Sequence, residues 1–291
     1  MEFGSGNARD AVTAEGIRLG LLPEYRGICI VSEDLVESTN DYAKRLAAAG
    51  AAHGTLMTAE GQTAGRGRNN REFYSPHGVG LYMSVILRPA RKASETPLVT
   101  IVAALSVCRA IRGLTGLSPG IKWVNDILLD GRKVCGILAE SVANPVDAAG
   151  AADEHIIVGI GVNVSARIAD FPEPIRETAG SLFPDGISGI SRSMLAAAIT
   201  NNLLTLIDEC AVDDAKILDE YRALSVAIGN EIEYSDGEGR ATGVALGIAS
   251  DGGLVVRRNA DSAIVTLNSG EVSVKIKRGK DMAQPGNTPS R

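Results

Sequence analysis

Residues 121–164 restrict the fold more than any other part of the chain. Three strand-length apolar runs, 121–129, 133–142 and 155–164, follow one another there. The first two are separated by a turn built on Asp130-Gly131, residues that tolerate positive φ and so close a hairpin. Strands joined this closely pair antiparallel, because a parallel return needs a longer crossover. Residues 80–89 alternate Leu81, Met83, Val85 and Leu87 against Tyr82, Ser84, Ile86 and Arg88, the period of a strand with one buried face. Helical spacing takes over through Leu98, Ile101, Val102, Leu105, Cys108 and Ile111, giving a helix over 97–114 that packs on the sheet. Further strands are expected at 27–31 and 54–60. Between them Ser38, Thr39 and Asn40 cap a helix that carries Tyr42, Ala43, Leu46 and Ala47 and stops at Gly50. One long helix is expected over 193–224.

Beyond residue 230 the texture changes to short alternating runs at 231–234, 241–249, 254–258, 263–267 and 272–275, separated by Gly, Asp or Asn, the pattern of a small β-barrel. The expected fold class is therefore α+β: a mixed, largely antiparallel sheet packed with helices, plus a small C-terminal barrel. The expected boundaries are a flexible or short helical extension (1–25), the main domain (26–226), the barrel (227–278) and a disordered tail (279–291). Residues 2–6 are small and polar and carry no fold. A helix over 11–22 leaves no room before the first strand for a helix-turn-helix module.

Charge and cysteine usage narrow the partners. A net charge of -6 in a chain of 291 residues supplies no global basic field for nucleic acid. Cys29, Cys108, Cys135 and Cys210 are far apart and share only three histidines, so reduced, mostly buried thiols are the better reading than a metal site. The N-terminus lacks a secretory pattern, and the apolar stretch 98–114 is interrupted by Arg109 and Arg112, too soon to cross a bilayer. No membrane partner is expected, and the expected location is the cytoplasm.

Three constellations carry chemistry. In Gln62-Thr63-Ala64-Gly65-Arg66-Gly67-Arg68-Asn69-Asn70-Arg71, glycines let backbone N–H groups approach an anion and arginine forks bind phosphate or carboxylate oxygens. Taken alone such a string is also a solvated loop; its position between two strands favours an anion-binding loop. Next, Lys122-Trp123-Val124-Asn125-Asp126, read as one strand, sets Lys122 and Asp126 on one face, either as a site or as a plain surface pair. The third, Gly159-Ile160-Gly161-Val162-Asn163, interrupts an apolar strand with glycines, marking either a bulge or a close approach by a ligand or another backbone. His77, in the turn 75–80, reads as a turn residue rather than a base.

In this order, Ser38-Thr39-Asn40, the Gln62 to Arg71 loop, Ser75-Pro76-His77-Gly78-Val79-Gly80-Leu81-Tyr82-Met83-Ser84, Lys122 to Asp126, Gly136-Ile137-Leu138-Ala139-Glu140 and Gly159 to Asn163 resemble the motifs of the biotin protein ligase catalytic domain. The resemblance runs from about Ser32 to Lys275, including a C-terminal stretch similar to the family's SH3-like barrel. It implies a class II synthetase-like catalytic domain at 26–226. The implied activity is that of a biotin–[biotin carboxyl-carrier protein] ligase. Such an enzyme activates biotin with ATP and Mg²⁺ as biotinyl-5'-AMP, releasing pyrophosphate, then passes biotin to a lysine of a carrier domain and releases AMP. A short form without the DNA-binding domain is expected, hence no repressor function and no nucleic-acid partner. The sheet edge makes a homodimer reasonable.

By the same carry-over, Lys122 is the first choice for a catalytic electrostatic stabiliser, with Arg66. Ser38, Thr39 and Gln62 fall at the ureido end of biotin, with Asn40 beside them. Gly65, Arg66, Gly67 and Arg68 form the closing loop. Arg71, Phe73, Asn125 and Asn163 fall on the nucleotide side, Gly136 and Gly161 are further ligand-binding positions, and Asp126 is a candidate to position the metal or the incoming amine. The loop is expected to be poorly ordered in a ligand-free crystal and to order on the adenylate. Two departures stand out: Phe73 replaces a tryptophan that stacks near the nucleotide, and Val124 replaces a proline. The rival readings are a lipoate- or octanoate-transferring enzyme and a biotin- or adenylate-sensing regulator.

Overall fold

The computed structural model describes residues 10–88, 96–143, 154–235, 239–268 and 272–274. Seven strands form the main sheet: β1 (Ile30–Val36), β2 (Leu56–Gln62), β3 (Gly80–Leu87), β4 (Gly120–Lys122), β5 (Asp126–Leu129), β6 (Arg132–Ala143) and β7 (Glu154–Asn163). Their order is β1-β2-β3-β7-β6-β5-β4, with β1 and β2 parallel and every other pair antiparallel. The sheet is thus mixed and largely antiparallel. The Asp130-Gly131 hairpin has positive φ at both residues, 50° and 75°.

Helix α1 (Ala14–Gly20) is the first helix among the described residues, and α2 (Thr39–Ala48) crosses one face of the sheet between β1 and β2. Ala43 and Ala47 of α2 pack there on Met57, Ile86 and Ile157. The opposite face carries α3 (Thr96–Thr115), α4 (Arg192–Val212) and α5 (Ala215–Leu224). Within α3, residues 98–115 are long and apolar enough to cross a membrane, but most of that stretch is buried in the core. The buried Arg192 ties the start of α4 to the chain ahead of α1, with Nε 3.0 Å from Asp10 Oδ2, and to β2, with Nη2 2.9 Å from Glu60 Oε2.

Four local expectations need correction. The first strand begins at Ile30 and not at residue 27. Strand β3 is buried on both faces, because α2 covers the side of Ser84 and Ile86 while Leu81, Met83, Val85 and Leu87 enter the main core. The expected helix over 193–224 is two helices, because Asp213 Oδ1 accepts the N–H of Ala215 and offers the backbone an alternative to the helical ladder. The expected strand over 121–129 doubles back at residues 123–125, so that Lys122 and Asp126 are cross-strand partners.

The C-terminal unit is a five-stranded antiparallel sheet of β8 (Glu231–Ser235), β9 (Arg240–Ile248), β10 (Leu254–Arg258), β11 (Ile264–Leu267) and β12 (Val272–Val274), in the order β11-β10-β9-β8-β12. Its inward residues, Ile232, Tyr234, Ala245, Ile248, Leu254 and Val256, belong to the same apolar core as the main sheet. The expected tail over 279–291 and residues 2–6 lie outside the described residues.

Candidate active site

A cavity of about 530 Å³ opens between the start of α2, the loop 65–73 and the glycine-bearing middle of β6 and β7. At one end Ser38 caps α2, accepting the N–H of Asp41. Thr39 donates to Gln62 Oε1 through its backbone N–H (2.8 Å) and its hydroxyl (3.1 Å), while Gln62 Nε2 donates to Ser75 Oγ. Ser84 Oγ lies within hydrogen-bond reach of both Thr39 Oγ1 and Asn40 Oδ1, and Asn40 Nδ2 donates to Glu140 Oε2 at 2.8 Å. This continuous polar chain, set among buried apolar strands, suits a small neutral ligand rich in donors and acceptors.

Two strand glycines explain how the walls fit. A Cβ on Gly159 would stand 2.1 Å from Asn40 Oδ1, and one on Gly161 would stand 2.4 Å from the Phe73 ring. The same ring lies 3.1 Å from where a Cβ on Gly136 would be. The close approaches at these strand glycines are therefore made first by protein side chains. Phe73 rests on the cavity floor with its ring against both strands.

The other end is cationic. Arg66, Gly67, Arg68 and Arg71 line it from the loop, and Lys122, Asn125 and Asp126 from the β4–β5 turn. The loop closes on itself through Gly67 N–H to Arg71 O (2.7 Å) and Phe73 N–H to Gly65 O (2.8 Å). Arg68 Nη1 donates to Asn125 Oδ1 at 3.1 Å, joining loop and turn, and Asn125 Nδ2 donates on to Ile137 O. Arg66 pairs with Asp41, and its guanidinium also lies 3.7 Å from Glu140.

Of the residues singled out in the sequence, Ser38, Thr39, Asn40, Gln62, Phe73, Gly136 and Gly161 also line the cavity. Gly65 does not; it is buried against Ser75 and the Phe73 carbonyl. Asn163 is a correction as well: it is buried at the end of β7 with its amide donating to Gly180 O, so it holds that loop and does not face the cavity. His77 sits outside, paired with Asp34.

Sequence reasoning passed over Lys133. It lies in the cavity with Nζ 2.6 Å from Asp126 Oδ1 and only 3.2 Å from where a Cβ on Gly136 would stand. The signal was available: a hairpin turning at Asp130-Gly131 sets the residues around 133–136 opposite Asp126. Among the described residues no group of three His, Cys, Asp or Glu side chains could hold a metal ion. Asp126, already facing Lys133, and Glu72 are the carboxylates that line the cavity among the described residues, and a magnesium ion bound there would be shared with phosphate oxygens, the usual way that ion is held.

The sequence model of the Biotin/lipoate A/B protein ligase family matches residues 33–163, and that of the Biotin protein ligase C terminal domain matches 227–275. The bifunctional ligase/repressor BirA of Bacillus spizizenii is 36% identical over 247 residues, spanning 82% of this chain and 73% of that protein. The chain belongs to the biotin protein ligase family. Among its relatives, the biotin–[acetyl-CoA-carboxylase] ligase of Mycobacterium tuberculosis is 29% identical over 81% of this chain and 85% of that one. The biotin protein ligase of Aquifex aeolicus, solved in complex with biotin and ATP, superposes with a TM-score of 0.72 at 26% identity, covering 85% of this chain and 98% of that chain. The loop, the β4–β5 turn and the glycine strands thus sit on a known ligase framework.

Proposed function

We propose that this cavity joins biotin to ATP as biotinyl-5'-AMP, releasing pyrophosphate, and then transfers biotin to a lysine of a biotin carboxyl carrier domain, releasing AMP. The observation that carries the reading is the pairing, in one cavity, of the uncharged polar end built on Thr39, Gln62 and Asn40 with the cationic end built on Arg68, Arg71, Lys122 and Lys133. Bringing a carboxylate onto a triphosphate joins two anions, so fixed positive charge stabilises the transition state more than the separated reactants. Lys122 and Lys133 supply it, and Asp126 keeps Lys133 in place. A magnesium ion, when bound, would neutralise further charge on the phosphates.

In the second half-reaction the carrier lysine must lose its proton to attack the acyl carbon, while AMP leaves with the electron pair of the broken anhydride bond. Its solution pKa is about 10.4, so transfer is expected to speed up with rising pH across the neutral range. The C-terminal match favours biotin over lipoate, since that domain model describes biotin protein ligases.

Biotin-dependent exchange of labelled pyrophosphate into ATP tests the reading, with lipoate and octanoate as controls. Exchange with biotin alone, reduced strongly in Lys122→Ala and in Lys133→Ala, is the expected result. Exchange with lipoate or octanoate and none with biotin would move the assignment to the rival acid.

A further inference from the structure

The uncharged end of the cavity is a chain of hydrogen bonds whose direction is fixed from both sides. Asn40 Nδ2 lies 2.8 Å from Glu140 Oε2 and 3.3 Å from Leu138 O. Burial pushes the Glu140 carboxyl up, but hydrogen bonds from Lys44 and Asn40 outweigh that and hold it below the ordinary glutamate value, an acceptor only at neutral pH. A carboxylate and a backbone carbonyl cannot donate, so the amide nitrogen of Asn40 faces β6 and its Oδ1 accepts on the other side. Ser84 Oγ is 2.6 Å from that oxygen, which takes up its single proton. Toward Thr39 Oγ1, 2.9 Å away, Ser84 then offers lone pairs alone. At the far end the Thr39 N–H donates to Gln62 Oε1, so Gln62 Nε2 donates to Ser75 Oγ, whose own proton goes to Phe73 O. Along this chain the Thr39 hydroxyl alone is left to choose, between Ser84 Oγ and Gln62 Oε1. Either choice uses its proton and leaves both of its lone pairs for a ligand. An Asn40 amide turned the other way would send the Ser84 proton to Thr39 and occupy one of them.

We propose that Glu140 is a positioning residue for the ligand's uncharged end: acting through Asn40 and Ser84, it keeps the Thr39 oxygen an acceptor for ring N–H groups. The proposal rests on the biotin reading argued above, since the urea ring of biotin carries N–H donors. Thr39 and Asn40 line the cavity, whereas Ser84 and Glu140 stand behind them. Ser84 is fully buried and Thr39 nearly so, so water does not compete for these bonds, and a wrongly turned proton costs more there than it would at the surface. An acid whose far end is an alkyl chain or a disulfide ring has no N–H to offer. The same relay therefore favours biotin over octanoate and lipoate.

The test measures pyrophosphate exchange by the full-length chain, varying biotin at saturating ATP and ATP at saturating biotin. Glu140→Gln keeps the shape but can offer Asn40 either an oxygen or an N–H, so the amide is no longer held one way. It is expected to raise the KM for biotin roughly three- to tenfold, the loss of about one hydrogen bond, with the KM for ATP and the maximal rate little changed. Loosened packing would disturb both substrates. Lys44→Gln breaks the ion pair to the other Glu140 oxygen, 2.7 Å away, and spares Asn40, so its KM for biotin should stay near that of the wild type. Ser84→Ala cuts the relay, and adding Glu140→Gln in that background should raise the KM for biotin little further. An unchanged KM for biotin in Glu140→Gln, an equal rise in Lys44→Gln, or penalties that multiply in the double variant would overturn the proposal. Should Glu140→Gln fail to fold, Asn40→Ala frees the same Ser84 proton and takes its place, with the same coupling to Ser84→Ala expected. A wild type without biotin-dependent exchange would instead remove the biotin reading itself, a failure visible before any substitution is made.

Discussion

Single atoms decide the shape of the cavity. Adding a methyl group at Gly159 drives into Asn40 Oδ1, and adding one at Gly161 drives into the Phe73 ring. Gly161→Ala is expected to cost about 1–3 kcal/mol of stability, as overpacking does, and to weaken ATP use in the exchange assay. Phe73→Ala in the same chain should recover part of the stability, measured by urea denaturation; a strictly additive double variant would contradict the contact. Glu140 gives a second test at this scale. Burial pushes its carboxyl up, but hydrogen bonds from Lys44 and Asn40 and the charges of Lys44 and Arg66 outweigh that and hold it below the ordinary glutamate value. A carboxyl depressed on folding contributes stability that is full above its unfolded pKa and lost as pH falls through the folded one. The stability gap between wild type and Glu140→Gln should therefore persist down to about pH 5 and shrink only below the ordinary value of about 4.3. A gap that vanished between pH 7 and 6 would disprove it. The glycines, the arginines and Gln62 were all legible in the sequence as residues of consequence. What rests on each glycine, and Arg66 facing carboxylates instead of phosphate, were not, since both depend on side chains far away in the chain.

The β4–β5 hairpin shows what one element requires from its neighbours. It is a sharp reversal that carries Lys122 and Asp126, and two long-range hydrogen bonds hold its back. The Tyr221 hydroxyl on α5 donates to Val124 O at 3.1 Å, and the buried Trp123 indole donates to Gly252 O at 3.0 Å. Removing the first donor leaves a carbonyl short of a partner at the point that aims both charged residues. Tyr221→Phe is therefore expected to cost about 1 kcal/mol in chemical denaturation and to lower the exchange rate with little change in the biotin requirement. An unchanged rate would show that the turn holds itself. Period-two and helical spacing located almost every element, because burial imposes those periods on the sequence. The two breaks, at 123–125 and 213–214, escaped for opposite reasons. The first is set by remote donors that no local pattern records, whereas Asp213-Asp214 was a local signal overridden by the apolar spacing around it.

At the scale of the whole molecule, the C-terminal sheet is part of the site and not an appendage. Val272 of β12 lines the cavity, and Gly252 between β9 and β10 accepts the Trp123 indole across 129 residues of sequence. The sequence shows where the barrel begins but says nothing of this seam, because a backbone carbonyl in a turn has no residue signature. Arg222 on α5 is the other fastening: its Nε and Nη2 donate to Ile248 O at 3.0 and 2.7 Å. The residue is remote from the chemistry, so its loss separates docking from catalysis. If docking aims the hairpin, Arg222→Ala should raise amide hydrogen exchange at 248–254 and at 121–126 together, and lower pyrophosphate exchange in proportion. Faster amide exchange confined to the barrel, with full activity, would mean that the hairpin keeps its aim without it. The seam would then be packing alone.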